Sequence, residues 1–347
     1  SALLSITLFW GINGFFQAMG WTPMVRVMAH WFPIATRGKT MGLLGTCYQL
    51  GAAFASMLAI FLTGYYCSVM GGDWRSVFLV PSAMFAAVGL LYFILIRNQP
   101  EDVGLPPIDG QQPAGEKRPD DDKNPRRSND DHGSQSSILA NVSKTLSNPY
   151  LWIVAWAFFA LDVNRYGFVN WLPAFLSEQA TGEASSLMGN FKLVMKLCIH
   201  PLAGSLGAIT AGWATDRFFG GRRAPVIVIL MIALGVFSIT FPYIDPHQTW
   251  LVVLVVAIVG FCTYGPHILM VAHAAQDFGK KTGAAGAAGF IDAMGYVGAS
   301  LAGWGAGVLI GRHGYHFTFA TFGIVAFAGA LMAALLWKVG PKAGGSS

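Results

Sequence analysis

Charge is what this sequence has least of. Only 11% of its 347 residues are Asp, Glu, Lys or Arg, against roughly a quarter in an ordinary soluble domain. The shortage is also uneven: 16 of the 39 charged side chains lie between Arg97 and Asn148, leaving the rest of the chain nearly bare. So few charges cannot build a water-facing surface on a chain of this size. Cysteine is scarce too. Cys47, Cys67, Cys198 and Cys262 show no paired spacing and point to neither a disulfide framework nor a metal site. No cleavable signal peptide is visible, and no metal cluster, nucleophile–base arrangement or phosphate-binding loop stands out. Enzyme chemistry and a bound cofactor are therefore not expected. The pI near 9 does not indicate nucleic acid, because Lys and Arg are scattered along the chain and form no single patch.

Long apolar runs are what the chain has in quantity. A helix crossing a hydrocarbon core of about 30 Å needs roughly 20 residues, and nine stretches meet that length: Leu3–Ala29, Thr40–Tyr66, Val77–Ile96, Leu151–Leu176, Val194–Trp213, Ala224–Ile244, Trp250–Ala275, Gly283–Ile310 and Phe317–Trp337. They are continuous runs and do not alternate, which excludes a membrane β-barrel. The expected fold class is an all-α membrane protein, a helical bundle. Glycines weaken soluble helices, but between membrane helices they let backbones approach, and Gly295, Gly298, Gly303 and Gly307 are spaced for that.

Basic loops set the expected orientation. Arg37 and Lys39 follow the first span, Arg97 to Lys144 the third, Arg217, Arg222 and Arg223 the fifth, Lys280 and Lys281 the seventh, and Lys338 and Lys342 the last. The alternate loops carry only Arg312, with Arg75 at the start of a helix. Positive residues stay inside, so the first set and the C-terminus are expected in the cytoplasm. The stretch Gly104–Ser137 is rich in Pro, Asp, Asn, Ser, Lys and Arg and reads as a disordered cytoplasmic tether.

An internal repeat sharpens the organisation. Trp21-Thr22-Pro23 followed by Ala29-His30 matches Tyr264-Gly265-Pro266 followed by Ala272-His273, and Gly42, Gly45 and Gly51 then match Gly286, Gly289 and Gly295. The copies imply two related halves: a partial one of three spans over 1–97, a linker over 98–148, and a six-helix half over 149–341 before a short tail, 342–347. On that expectation nine of twelve transmembrane helices are present, and the chain is a truncated piece of a twelve-helix protein.

Two parallel six-helix repeats with a cytoplasmic linker resemble the major facilitator superfamily. The loop Gly212-Trp213-Ala214-Thr215-Asp216-Arg217-Phe218-Phe219-Gly220-Gly221-Arg222-Arg223 looks like that superfamily's signature. Within the superfamily the chain resembles the organophosphate:phosphate antiporters, which include glycerol-3-phosphate and hexose-6-phosphate transporters. The resemblance is carried by Phe16 to Pro23, Arg37-Gly38, Pro100 to Pro106, Arg165-Tyr166-Gly167, Asn170-Trp171, Tyr264-Gly265-Pro266, Ala287 to Phe290 and Gly295-Tyr296. It implies exchange of a phosphorylated metabolite for inorganic phosphate by alternating access, in a multi-pass, monomeric protein of the bacterial inner membrane. Its expected partners are a small anionic substrate and the lipid bilayer. Two other readings stay open: a membrane sensor of hexose phosphate, and a proton-coupled organic-anion carrier.

Arg165 is the leading site residue. A charge at mid-span costs at least ~2.5–3.5 kcal/mol on insertion scales, and a guanidinium fork suits two phosphate oxygens. A salt bridge to Asp162, three residues back, is the structural alternative. The resemblance implies that Arg165 is one of two substrate-phosphate arginines, the second belonging to a first helix absent here. Lys192, Lys196 and His200 form a stripe entering the fifth span and offer positive potential or interfacial anchoring. Tyr166, Tyr264 and Tyr296 match family positions lining the central cavity. By the repeat, Tyr48 and Asp292 are equivalents; Tyr48 stands where relatives look to have a histidine, and Asp292 where they are not acidic. Pro201 replaces an acidic residue of the glycerol-3-phosphate carriers, which leaves the exact ester open. Arg26 and His30 read as gate or headgroup contacts. Asp216, Arg217, Arg222 and Arg223 would control cytoplasmic closure.

Overall fold

In hydrocarbon a backbone has no water to satisfy its amides, so an apolar run must close its hydrogen bonds within a helix. The computed structural model of the chain obeys this, and every regular element among the described residues is helical. It describes residues 2–32, 34–67, 71–106, 147–179, 187–245, 247–274 and 284–338. The helices are α1 (Ala2–Trp31), α2 (Ile34–Ile60), α3 (Ser76–Leu95), α4 (Pro149–Gln179), α5 (Leu187–Phe219), α6 (Ala224–Thr240), α7 (Thr249–Ile268) and α8 (Ala284–Ala334). Gly314, at φ 78° and ψ 178°, breaks α8 into limbs 284–313 and 315–334. With the limbs counted separately, nine long helical segments occur among the described residues.

Five stretches there combine the length and hydropathy needed to cross a membrane: Ser76–Leu95, Lys192–Phe219, Ala224–Tyr243, Thr249–Val271 and Gly289–Ala334, the last containing both limbs of α8. α4 is not among them, because Asp162, Asn164, Arg165 and Asn170 lower its hydropathy. Two expected boundaries move. The loop expected over Gly311–His316 shrinks to the break at Gly314, since glycine alone adopts that backbone without strain. The fifth span extends at both ends into a helix of 33 residues, about 50 Å long, more than hydrocarbon thickness requires. Residues 107–146 of the linker and the Lys280-Lys281 pair lie outside the described residues, as do the side chains of Arg26, His30, Arg37, Lys39, Gly42, Gly45 and the Trp21-Thr22-Pro23 copy of the repeat.

By contact the chain divides into two units, Ser1–Tyr48 with Phe78–Asp131, and Gln49–Val77 with His132–Ser347. In the first unit Trp31 Nε1 donates to the Arg97 carbonyl at 2.9 Å, tying the end of α1 to the chain leaving α3. Arg97 caps α3 itself, donating to the Ile94 and Ile96 carbonyls. A short 3-10 turn, Pro100–Val103, follows. Asp102 closes it by accepting the Asn98 and Gln99 amides at 3.1 and 3.2 Å, so the polar segment begins ordered. No residue of α3 is buried, and Phe93 is 82% exposed. Such an apolar surface is untenable in water and ordinary against lipid.

The second unit holds the core. α4 packs along α8, α5 along α7, and α6 against α7 and α8. Glycine makes the close approaches possible. A Cβ on Gly298 would stand 2.5 Å from the Phe159 carbonyl, one on Gly295 would strike Phe158 and Asp162, and one on Gly307 would press on the Trp171 ring. The expected glycine stripe is therefore the α4-facing side of α8. Gly260 meets the His200 carbonyl and Gly207 the Phe261 carbonyl in the same way between α7 and α5. One end of the unit is filled by Phe168, Phe175, Phe241 and Phe319, with ring centroids 5.0–5.6 Å apart in edge and tilted geometries.

Candidate functional site

α4 brings Phe158, Asp162, Arg165 and Tyr166 onto one stripe by their spacing of three and four. Arg165 is 6% exposed and Asp162 is 2% exposed. Their side chains meet at 3.4 Å, so the ion pair weighed from sequence is present in this structure. That distance is long for a charge-assisted hydrogen bond, which prefers about 2.7–2.9 Å. The same NH1 lies 2.9 Å from Nε2 of His267 on α7. Two aromatic faces complete the surroundings, with the guanidinium carbon 4.9 Å from the Tyr166 ring and 5.2 Å from the Tyr264 ring. Cation–π contacts of this kind strengthen when desolvated.

Around this centre the other candidates divide. Tyr264 is buried and sits over Gly204 of α5, whose missing side chain leaves room for the ring. Tyr296, on the first limb of α8, faces Tyr166 with centroids 6.3 Å apart. Asp292, one turn earlier, is half-buried and interacts electrostatically with both Arg165 and Asp162. Its carboxylate makes no hydrogen bond or ion pair among the described residues. Gly295 leaves room for Asp162, since a Cβ there would stand 2.5 Å from Asp162 Oδ2.

On α5, Lys192 and Lys196 are half-buried. His200, one turn beyond Lys196, is buried; it stacks at 6.5 Å on Phe168, meets Tyr264 edge-on at 5.8 Å, and feels the field of Arg165. Its Nε2 has no hydrogen-bond partner among the described residues. Tyr48 belongs to the other unit, where it is 54% exposed.

The loop after α5 is built by glycine. Gly220 and Gly221 take φ of 58° and 82°, and the Gly221 amide turns back to the Thr215 carbonyl at 3.0 Å. Arg222 Nε donates to the Phe219 carbonyl at 3.2 Å, so this arginine caps its own helix. Asp216, Arg217 and Arg222 are exposed, Arg223 is half-buried, and Asp216 makes no ion pair among the described residues.

Sequence reasoning missed His267 and Asn164. His267 directly follows Tyr264-Gly265-Pro266, and a histidine inside an apolar span is itself a signal for function. Asn164 faces away from Arg165, donating to Ser238 Oγ at 3.1 Å and to the Phe322 carbonyl at 3.0 Å.

The described residues thus form a bundle of apolar helices with a buried cation, Arg165, set between two aromatic faces. The sequence profile of the Major Facilitator Superfamily matches residues 1–195 and 193–347, and the chain belongs to that superfamily, within its organophosphate:phosphate antiporter branch. It is 31% identical to the glycerol-3-phosphate transporter of Bacillus subtilis over 99% of this chain and 73% of that protein. It is 27% identical to the membrane sensor protein UhpC of Salmonella typhimurium, over 97% of this chain and 71% of that protein. With sugar phosphate exchanger 3 of Mus musculus the identity is 26%, over 84% of this chain and 59% of that protein.

Proposed function

We propose that the protein is a secondary transporter that carries a phosphorylated metabolite, of the sugar phosphate or glycerol-3-phosphate class, in exchange for inorganic phosphate. The observation carrying this reading is the buried Arg165 guanidinium, whose internal partners Asp162 and His267 are ones an incoming oxyanion can replace. A phosphoryl group offers several acceptor oxygens and between one and two negative charges, a better match to the guanidinium fork than one carboxylate oxygen at 3.4 Å. Tyr166, Tyr264 and Tyr296 supply hydroxyls and ring faces for the rest of the ester, with Lys196, Asp292 and Tyr48 as further contacts. Exchange then proceeds by rocking of a first half, over 1–97, against a second, over 149–341, across the linker 98–148. Asp216, Arg217, Arg222 and Arg223 control closure on the cytoplasmic side, where the C-terminus lies.

The test is exchange of labelled inorganic phosphate in liposomes by the full-length protein, with glycerol 3-phosphate or a hexose phosphate outside. Exchange above empty liposomes supports the reading, and ester binding without exchange rejects transport. That second outcome favours a membrane sensor, the reading suggested by similarity to UhpC. Uptake driven by an imposed pH gradient without phosphate favours instead an organic-anion carrier.

A further inference from the structure

The contact between Arg165 and His267 fixes a charge state. Guanidinium has five N–H donors and no acceptor, so at 2.9 Å the His267 Nε2 is the lone-pair nitrogen. His267 is therefore neutral here and carries its proton on Nδ1. Arg165 is its one hydrogen-bond partner among the described residues.

The groups that face this contact come from four helices. On α4 they are Asp162 and Arg165, with the Phe158 ring 5.2 Å from the imidazole. α7 itself adds Tyr264 at 6.1 Å. Behind Tyr264, α5 contributes His200, with Lys196 a turn away, and α8 contributes Asp292, coupled to Arg165, and Tyr296 beyond Tyr166. Asp162 and Asp292 both oppose the charge of Arg165. A phosphoryl group entering here adds one or two negative charges and draws the Arg165 N–H away from His267. Nε2 is then left as a bare acceptor beside an anion, where an acceptor repels and a donor binds.

Resting on the phosphate-ester reading above, we propose that His267 is a proton-carrying ligand of the phosphoryl group. As the anion engages Arg165, Nε2 takes one proton from water and donates it in a hydrogen bond to a phosphoryl oxygen. Anion and proton occupy the site together and leave together. No covalent bond is made or broken, and the proton returns to water on release.

The experiment is calorimetric titration of the full-length protein in lipid nanodiscs with glycerol 3-phosphate, in two buffers of different ionisation enthalpy. At about pH 8 the ester is almost wholly dianionic, so proton uptake reports the protein. Wild type is expected to take up about one proton per ester. His267→Gln and His267→Asn, which cannot hold that charge, are expected to take up none and to bind about tenfold or more weakly, the loss of one charge-assisted hydrogen bond. Ester binding by wild type without proton uptake overturns the proposal, as does undiminished uptake in either variant, which would place the proton on Asp162 or Asp292. The wild-type measurement decides alone if both variants misfold. Failure of wild type to bind any phosphate ester instead overturns the phosphate-ester reading, and this proposal with it.

Discussion

The two sides of α4 hold buried polar groups in opposite ways. On one side Asn164 is fully enclosed: its amide donates to Ser238 and to the Phe322 backbone, and the single Ser238 hydroxyl proton goes to the Leu234 carbonyl at 2.7 Å, with the Asn164 carbonyl oxygen its longer alternative acceptor at 3.3 Å. Every bond there is made within the protein, between elements also locked by the Phe168, Phe241 and Phe319 rings. On the other side Arg165 shares one nitrogen between a long contact to Asp162 and a short one to His267, and the Asp292 carboxylate stands within its field without a hydrogen bond or ion pair among the described residues. The first arrangement is closed and rigidifies the bundle; the second is open to exchange of partners. Burial alone does not separate structure from function in a membrane span. The completeness of the hydrogen bonding does.

Substitutions on the two sides should therefore fail differently. Arg165→Lys keeps the charge but loses the planar fork, and phosphate exchange in liposomes should fall about 100-fold, ~2.7 kcal/mol in the barrier, with thermal stability in detergent little changed. Gly298→Leu drives a side chain into the Phe159 carbonyl. It should cost about 1–3 kcal/mol of stability as α8 is pushed from α4, read by a lowered unfolding temperature. Asn164→Leu strips the partner from Ser238 and the Phe322 carbonyl. About 1–2 kcal/mol should be lost, while exchange per folded molecule stays near wild type. Tyr315→Phe removes a single exposed hydrogen bond of 2.7 Å to Glu178 and should shift stability by about 0.5–1 kcal/mol. If Asn164→Leu abolished exchange in folded protein, the division between the two sides of α4 would not hold.

Much of this architecture was legible in the sequence because membrane constraints are severe and local. Length and hydropathy of the runs located the helices, and the α8 glycines announced the side that meets α4. A lone mid-span arginine drew notice to Arg165, and its spacing of three residues to Asp162 disclosed their pairing. Partners far apart in sequence were less legible. His267 lies 102 residues from Arg165, and nothing in a helical pattern shows which faces of two distant helices will meet. Asn164, next to the arginine in sequence, gives no sign there that its partners are Ser238 and the Phe322 backbone. The break at Gly314 is hidden by the polar composition of 311–316, which reads as a loop where the helix is interrupted at a single glycine. Similarly, Arg222 serves the end of its own helix, a backbone contact that a list of charges cannot reveal.

The most direct test of the central claim, that the Arg165 side of α4 is an exchangeable oxyanion site, is efflux of labelled phosphate driven by external glycerol 3-phosphate. Full-length wild type, Arg165→Lys and Asn164→Leu would be reconstituted at equal folded amounts. The account predicts exchange in wild type and Asn164→Leu and a fall of about 100-fold in Arg165→Lys. Exchange at the wild-type rate in Arg165→Lys would contradict it.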